Sequence, residues 1–225
     1  MPEWLPLVAT ISVIAGIVCA VIVSFDVWSH PQRMWIMNAV WPLTALYSGP
    51  IGLVAYLRVG RPTSRDAVER TGRTHDRRPT AVAAALGATH CGAGCTLGDI
   101  VAEWFVFFVP LRLFGSALAA TWVLDFALAF LFGIAFQYFT IAPMRGLNVR
   151  DGIVAALKAD TASLTAWQFG MYGWMAIAIF AIFGHELDKT EPVFWFMMQI
   201  AMIVGFVVSW PVNALLIKNG WKERM

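Results

Sequence analysis

The sequence predicts an all-α integral membrane protein with six transmembrane helices and both termini in the cytoplasm, and three observations carry that expectation. The chain is 59% hydrophobic and only 13% charged, against about 45–50% and about 25% in soluble domains. It holds several uninterrupted apolar runs near the ~20 residues that a bilayer-spanning helix needs. Its charges are segregated, with arginines crowded into 58–78 and an acidic stretch at 184–192. Lys and Arg concentrate in cytoplasmic loops, so this asymmetry reports topology. With a net charge of only +2, it gives no reason to expect a nucleic-acid partner.

The elements follow in order. Residues 5–25 form the first span, apolar and free of charge. A polar turn from Asp26 to Gln32, carrying His30, leads to a second span over 35–57, which Pro42 and Pro50 should kink. The long polar loop 58–80 holds Arg58, Arg61, Arg65, Arg70, Arg73, Arg77 and Arg78 and is expected to face the cytoplasm. Within it, Ser64 is placed to cap a short helix to Thr71, and His75 reads as a solvated residue. Residues 81–109 form a third span about 43 Å long if continuous, more than a hydrocarbon core of about 30 Å, so it should be tilted, bent or broken. The fourth span is 117–142, with Asp125 and Gln137 inside it. Residues 148–160 are expected to lie along the interface as an amphipathic helix, followed by spans at 161–183 and 193–217. The whole chain reads as a single transmembrane domain, 1–225, and Met1-Pro2-Glu3-Trp4 lacks the basic start of a cleavable signal.

The chemistry concentrates in Thr89-His90-Cys91-Gly92-Ala93-Gly94-Cys95-Thr96-Leu97-Gly98-Asp99. Polar and thiol groups at membrane depth are costly, which makes them candidates for function. Cys91, Cys95, Asp99 and Glu103 recur at every fourth residue and form one stripe along the third span, with His90 beside it. Soft sulfur and imidazole ligands select Cu(I) and related ions, whereas carboxylates suit protons and hard cations. Gly92 and Gly94 weaken the helix at the cysteines, so a break there is one reading and tight helix packing the other. Met198 and Met202 share a helix face, as do Met171 and Met175, and either pair could complete a metal site. Cys19 reads as a buried apolar residue. Three cysteines in all argue against a disulfide framework. Asp125 should face the bundle interior near Glu103 or Arg112. His30 with His185-Glu186 could bind metal at the outer face, although solvated loop residues are the plainer reading.

His90-Cys91 through Gly98-Asp99, Pro143-Met144-Arg145-Gly146, and Met197-Met198-Gln199 with Trp210-Pro211-Val212-Asn213 resemble an uncharacterised family of bacterial integral membrane proteins, a domain of unknown function. The resemblance covers most of the chain from Trp35 onward, and the His-Cys-x3-Cys motif is its most specific part. It implies a multi-pass protein of the bacterial inner membrane and brings no established activity.

The leading functional expectation is binding and transport of a soft metal ion such as copper. His90, Cys91 and Cys95 would be its ligands, Met198 or Met202 would complete the site, and Asp99, Glu103 and Asp125 would line an ion or proton path. One rival is a membrane oxidoreductase in which Cys91 and Cys95 exchange electrons with a quinone. Haem is disfavoured, because His30, His75 and His185 fall in loops. The other rival is a non-catalytic subunit or assembly factor, with the small residues from Gly87 to Gly98 docking a neighbour in a homo-oligomer or larger membrane complex.

Overall fold

A computed structural model describes residues 2–71 and 79–224, and among them every regular element is helical. In chain order these are α1 (Leu5–Ser29), α2 (Met37–Ser48), α3 (Pro50–Ala55), α4 (Arg65–Thr71), α5 (Thr80–Phe108), α6 (Ala117–Arg145), α7 (Val149–Ala176) and α8 (Pro192–Lys218). The last turns of α7 continue as a π-helical stretch, Ile177–Phe183. Five of these helices, α1, α5, α6, α7 with its extension, and α8, are long and apolar enough to cross a membrane.

The expected second span is not one of them. α2 ends at Gly49, which adopts φ 55°, and α3 restarts at Pro50. A left-handed turn is open to glycine, and the following proline cannot extend a helix through its own nitrogen. The chain then turns back on itself. A Cβ on Gly16, halfway along α1, would meet the Leu46 carbonyl, so the tip of the turn lies at mid-bundle. On the return leg Tyr56 packs edge-on against Trp41, and its hydroxyl donates to Asp26 Oδ2 at 2.5 Å. The Arg65 backbone N–H donates to Pro31 O at 2.9 Å, closing the mouth beside the end of α1. Residues 35–57 thus form a helical hairpin whose two ends lie at one end of the bundle. Where six spans were expected, five helices are long and apolar enough to cross a membrane, and 35–57 is this hairpin.

The termini change with it. Arg145 pairs with Glu223, Arg224 reaches Thr80 Oγ1 at 3.4 Å, and Val59 shares a cavity wall with Ala81. The hairpin mouth, the α6–α7 turn and the C-terminus therefore sit at one arginine-rich end. Pro2, Trp4 and Leu5 line a cavity with Phe183 and His185, which places the N-terminus at the opposite, acidic end. Both termini on one side was the expectation; in the bundle the described terminal residues lie at opposite ends.

α5 is the centre of the bundle. Of its apolar stretch 61% is buried, against 22–39% for the other four long helices. Its glycines permit this. A Cβ on Gly94 would lie 2.6 Å from Gly133 Cα, and one on Gly98 would lie 2.5 Å from the Ala129 nitrogen of antiparallel α6. Without a hydrophobic force between helices in lipid, such backbone contact supplies much of the association. α5 is continuous through Gly92–Gly94, so of the two readings of those glycines the packing one holds and the break is absent. The segment 148–160 likewise belongs to α7 and is not a separate interfacial helix. α4 forms nearly where the short helix was expected; His75, Arg73, Arg77 and Arg78 lie outside the described residues.

Candidate functional site

Because α5 is central and helical throughout, its every-fourth-residue stripe runs along the bundle axis. Cys91, Cys95, Asp99 and Glu103 are all buried. Polar clusters form at both ends of the stripe.

At the arginine-rich end the cluster centres on Asp160 of α7. Its Oδ1 accepts from Lys222 Nζ at 2.5 Å, Ser163 Oγ at 3.0 Å and Cys91 Sγ at 3.3 Å. Cys91 Sγ also lies 2.8 Å from Ser163 Oγ and 3.9 Å from Lys222 Nζ. Lys222 donates besides to the Gly87 carbonyl at 3.3 Å. Both members of the ion pair are fully buried. Lys222 arrives from the tail after α8, which folds back so that the Trp221 and Lys222 nitrogens donate to Leu216 O. Burial alone would push its ammonium down, but the Asp160 carboxylate, with Cys91, outweighs that and holds it above the ordinary lysine value.

At the acidic end Glu103 pairs with Lys189, Oε2 to Nζ at 2.5 Å. The α5–α6 register that sets Gly98 against Ala129 brings Asp125, one turn along α6, level with this part of α5. The carboxylates of Asp99, Glu103 and Asp125 lie within electrostatic reach of one another and of Lys189. Neither oxygen of Asp99, nor Asp125 Oδ1, finds a hydrogen-bond partner among the described residues. Tyr172 flanks the cluster and donates to Trp122 O at 2.9 Å. A cavity of about 190 Å³, lined by Glu103, Thr121, Trp122, Glu186 and Lys189 among others, reaches the cluster from the acidic end. Cys95 sits on the stripe between the two clusters as a buried free thiol.

The other expected site residues are placed as follows. His90 is buried, with Nδ1 2.9 Å from Leu86 O and Nε2 without a hydrogen-bond partner among the described residues. Met198 and Met202 share one buried core with Cys91, Cys95, Met171, Met175 and Met197. Among the described residues no three His, Cys, Asp or Glu side chains converge as a metal-holding group. The space beside the Cys91 sulfur, where a soft cation would sit, is taken by the Lys222 ammonium. Cys91 and Cys95 lie on adjacent turns of an unbroken helix. Their Cβ atoms should then be about 5–6 Å apart, too far for a disulfide, which needs about 3.5–4.5 Å. His30 and His185 stand at opposite ends: His30 beside Asp26 and Arg61, His185 beside Phe183, so they do not form one site. The α5–α6 register sets Asp125 near the level of Glu103, one of the two expected neighbours.

Four participants were not read from the sequence: Asp160, Ser163, Lys189 and Lys222. A helical signal for the first two existed, since Gly152, Ala156, Ala159, Asp160, Ser163, Leu164 and Trp167 all fall on the buried face of α7. Nothing local marks the two lysines.

No curated protein and no solved structure matches this chain. A family model does match, over residues 81–222, which spans α5 to α8 and every residue of both polar clusters, though it begins well after the Trp35 at which the sequence resemblance started. The chain belongs to the family described as a domain of unknown function, DUF4396.

Proposed function

We propose that this protein moves protons across a bacterial inner membrane along the protonatable file that α5 carries through its bundle. The observation behind this reading is the file of buried ionisable groups along the bundle, Lys222 and Asp160, Cys91, Cys95, Asp99 with Asp125, then Glu103, which ends on the part-exposed Lys189. Ionisable residues inside a membrane mark ion and proton routes, because their burial is otherwise too costly. The unpartnered carboxylate oxygens of Asp99 and Asp125 support protonation at those positions, since an unpaired carboxylate is unstable in a low dielectric. The cavity at the acidic end gives water access to Glu103.

In this reading the arginine-rich end faces the cytoplasm and the N-terminus lies outside. A cysteine introduced at Glu3 or Asp188 should react with an impermeant maleimide added from outside, and one at Arg70 should not. Protection at Glu3 together with reaction at Arg70 would reverse the topology.

A second reading keeps a soft metal ion as the cargo, and it rests on two cysteines and five methionines sharing one core. The two separate in the same reconstituted vesicles. If protons are moved, Asp99→Asn and Glu103→Gln should each slow dissipation of an imposed pH gradient by about 100-fold, the scale of losing one proton-transfer group. Unchanged proton flux in both variants, with Cu(I) uptake abolished by Cys95→Ala, would replace the first reading by the second.

A further inference from the structure

The socket that holds the Lys222 ammonium contains more oxygen than an ammonium can use. Nζ has three protons, and three acceptors already surround it: Asp160 Oδ1, Gly87 O and, more distantly, Cys91 Sγ. Two further oxygens have no partner among the described residues. One is Oδ2 of the same Asp160 carboxylate; the other is Oδ1 of Asn213. Asn213 is fully buried and its amide nitrogen is held by Ser209 O at 3.0 Å, which fixes its oxygen in place. A Cβ built on Gly87 would lie 2.9 Å from Asn213 Oδ1 and 3.2 Å from Lys222 Cε, so the unpartnered oxygen and the lysine tip flank the same glycine. Ser163 Oγ completes the wall. Buried oxygens without partners are costly and rare, and one on the cation's own carboxylate and another across Gly87 from the lysine call for an explanation.

We propose that Lys222 is a tethered stand-in for a small alkali cation, and that Asp160, Gly87 O, Ser163 and Asn213 form a binding site for Na⁺ or K⁺ when the lysine withdraws. A spherical ion is not limited to three directions and takes six or so oxygen ligands, which the two unpartnered oxygens help to supply. The donors are hard oxygens, which select against soft metals. The socket contains one carboxylate, so a monovalent ion neutralises it, whereas a divalent one would leave an uncompensated buried charge. Lys222 belongs to the short tail beyond α8, so its withdrawal requires release of the contacts that hold that tail, Glu223 with Arg145 and Arg224 with Thr80. The proposal takes its role, a coupling ion for the proton path, from the conduction reading, but the binding itself is independent of it.

The test uses full-length protein in detergent, buffered with tetramethylammonium, an ion too large for the socket. In Lys222→Ala, NaCl or KCl should raise the melting temperature by about 5 °C at saturation relative to tetramethylammonium chloride, the size expected of a ligand well above its Kd. Wild type, with the socket filled, should need at least about tenfold more salt for the same shift. Lys222→Ala/Asp160→Asn should show no cation-specific rise. If Lys222→Ala does not fold, the same titration is read on Lys222→Gln, which fills more of the tether's volume. Failure of both alkali ions overturns the proposal, as does rescue by propylammonium alone, which would make the socket specific for a lysine tip. A cation-specific rise alongside absent proton flux would sink the conduction reading and leave this site standing.

Discussion

Lys222→Met should lower the unfolding free energy by about 3–5 kcal/mol, because it leaves the Asp160 carboxylate charged and unpaired in the bundle. Asp160→Asn alone should cost a similar amount by stranding the ammonium. Both groups are fully buried and the ion pair is 2.5 Å long, so water cannot take the place of the lost partner. The double variant Lys222→Met/Asp160→Asn should regain most of the loss, since neutral groups of like shape remove the desolvation penalty together with the attraction. Equilibrium unfolding in micelles, in tetramethylammonium buffer so that no small cation replaces the lysine, measures all three. Additive losses in the double variant would mean that the two residues do not act as a pair.

Gly98→Ala should also be damaging, from one methyl group. Its Cβ would lie 2.5 Å from the Ala129 backbone nitrogen and 2.6 Å from Ala129 Cα, and backbone cannot rotate aside as a side-chain tip can. α5 and α6 must then separate along their length, and overpacking of this kind costs about 1–3 kcal/mol or more. Gly173→Ala is the control. Nothing lies within 4 Å of its added Cβ, and a helical glycine replaced by alanine typically gains about 0.5–1 kcal/mol. Equal melting temperatures for the two variants would mean that the α5–α6 contact carries little of the stability.

The glycine-rich motif shows how far the sequence could be followed. Its spacing placed Cys91, Cys95, Asp99 and Glu103 on one face, and they are on one buried face. The same spacing could not distinguish glycines that break a helix from glycines that admit a neighbour. That distinction depends on where Gly133 and Ala129 of α6 lie, more than 30 residues away in the chain. The break fell instead at Gly49–Pro50, where a glycine stands directly before a proline that starts a new helix. Pro42, by contrast, is accommodated inside α2. Hydropathy made 35–57 look like a span because a buried hairpin is as apolar as a crossing helix. The contacts of Tyr56 with Trp41 and of Arg65 with Pro31 show that the chain turns back, and that of Leu46 with Gly16 shows that it does so halfway.

By itself the sequence determined the all-helical class, the five helices long and apolar enough to cross a membrane, the segregation of arginine from acid, and the polar stripe of α5. These follow from composition and from a period of 3.6, both of which are local. The tertiary structure decided the number of long helices, the side on which the N-terminus lies, and the partners of the stripe. Lys189 and Lys222 look like ordinary loop and tail lysines in sequence, 86 residues from Glu103 and 62 from Asp160 respectively. What draws them into the bundle is the charge of carboxylates on other helices, a force that acts through space and leaves no trace in the local pattern.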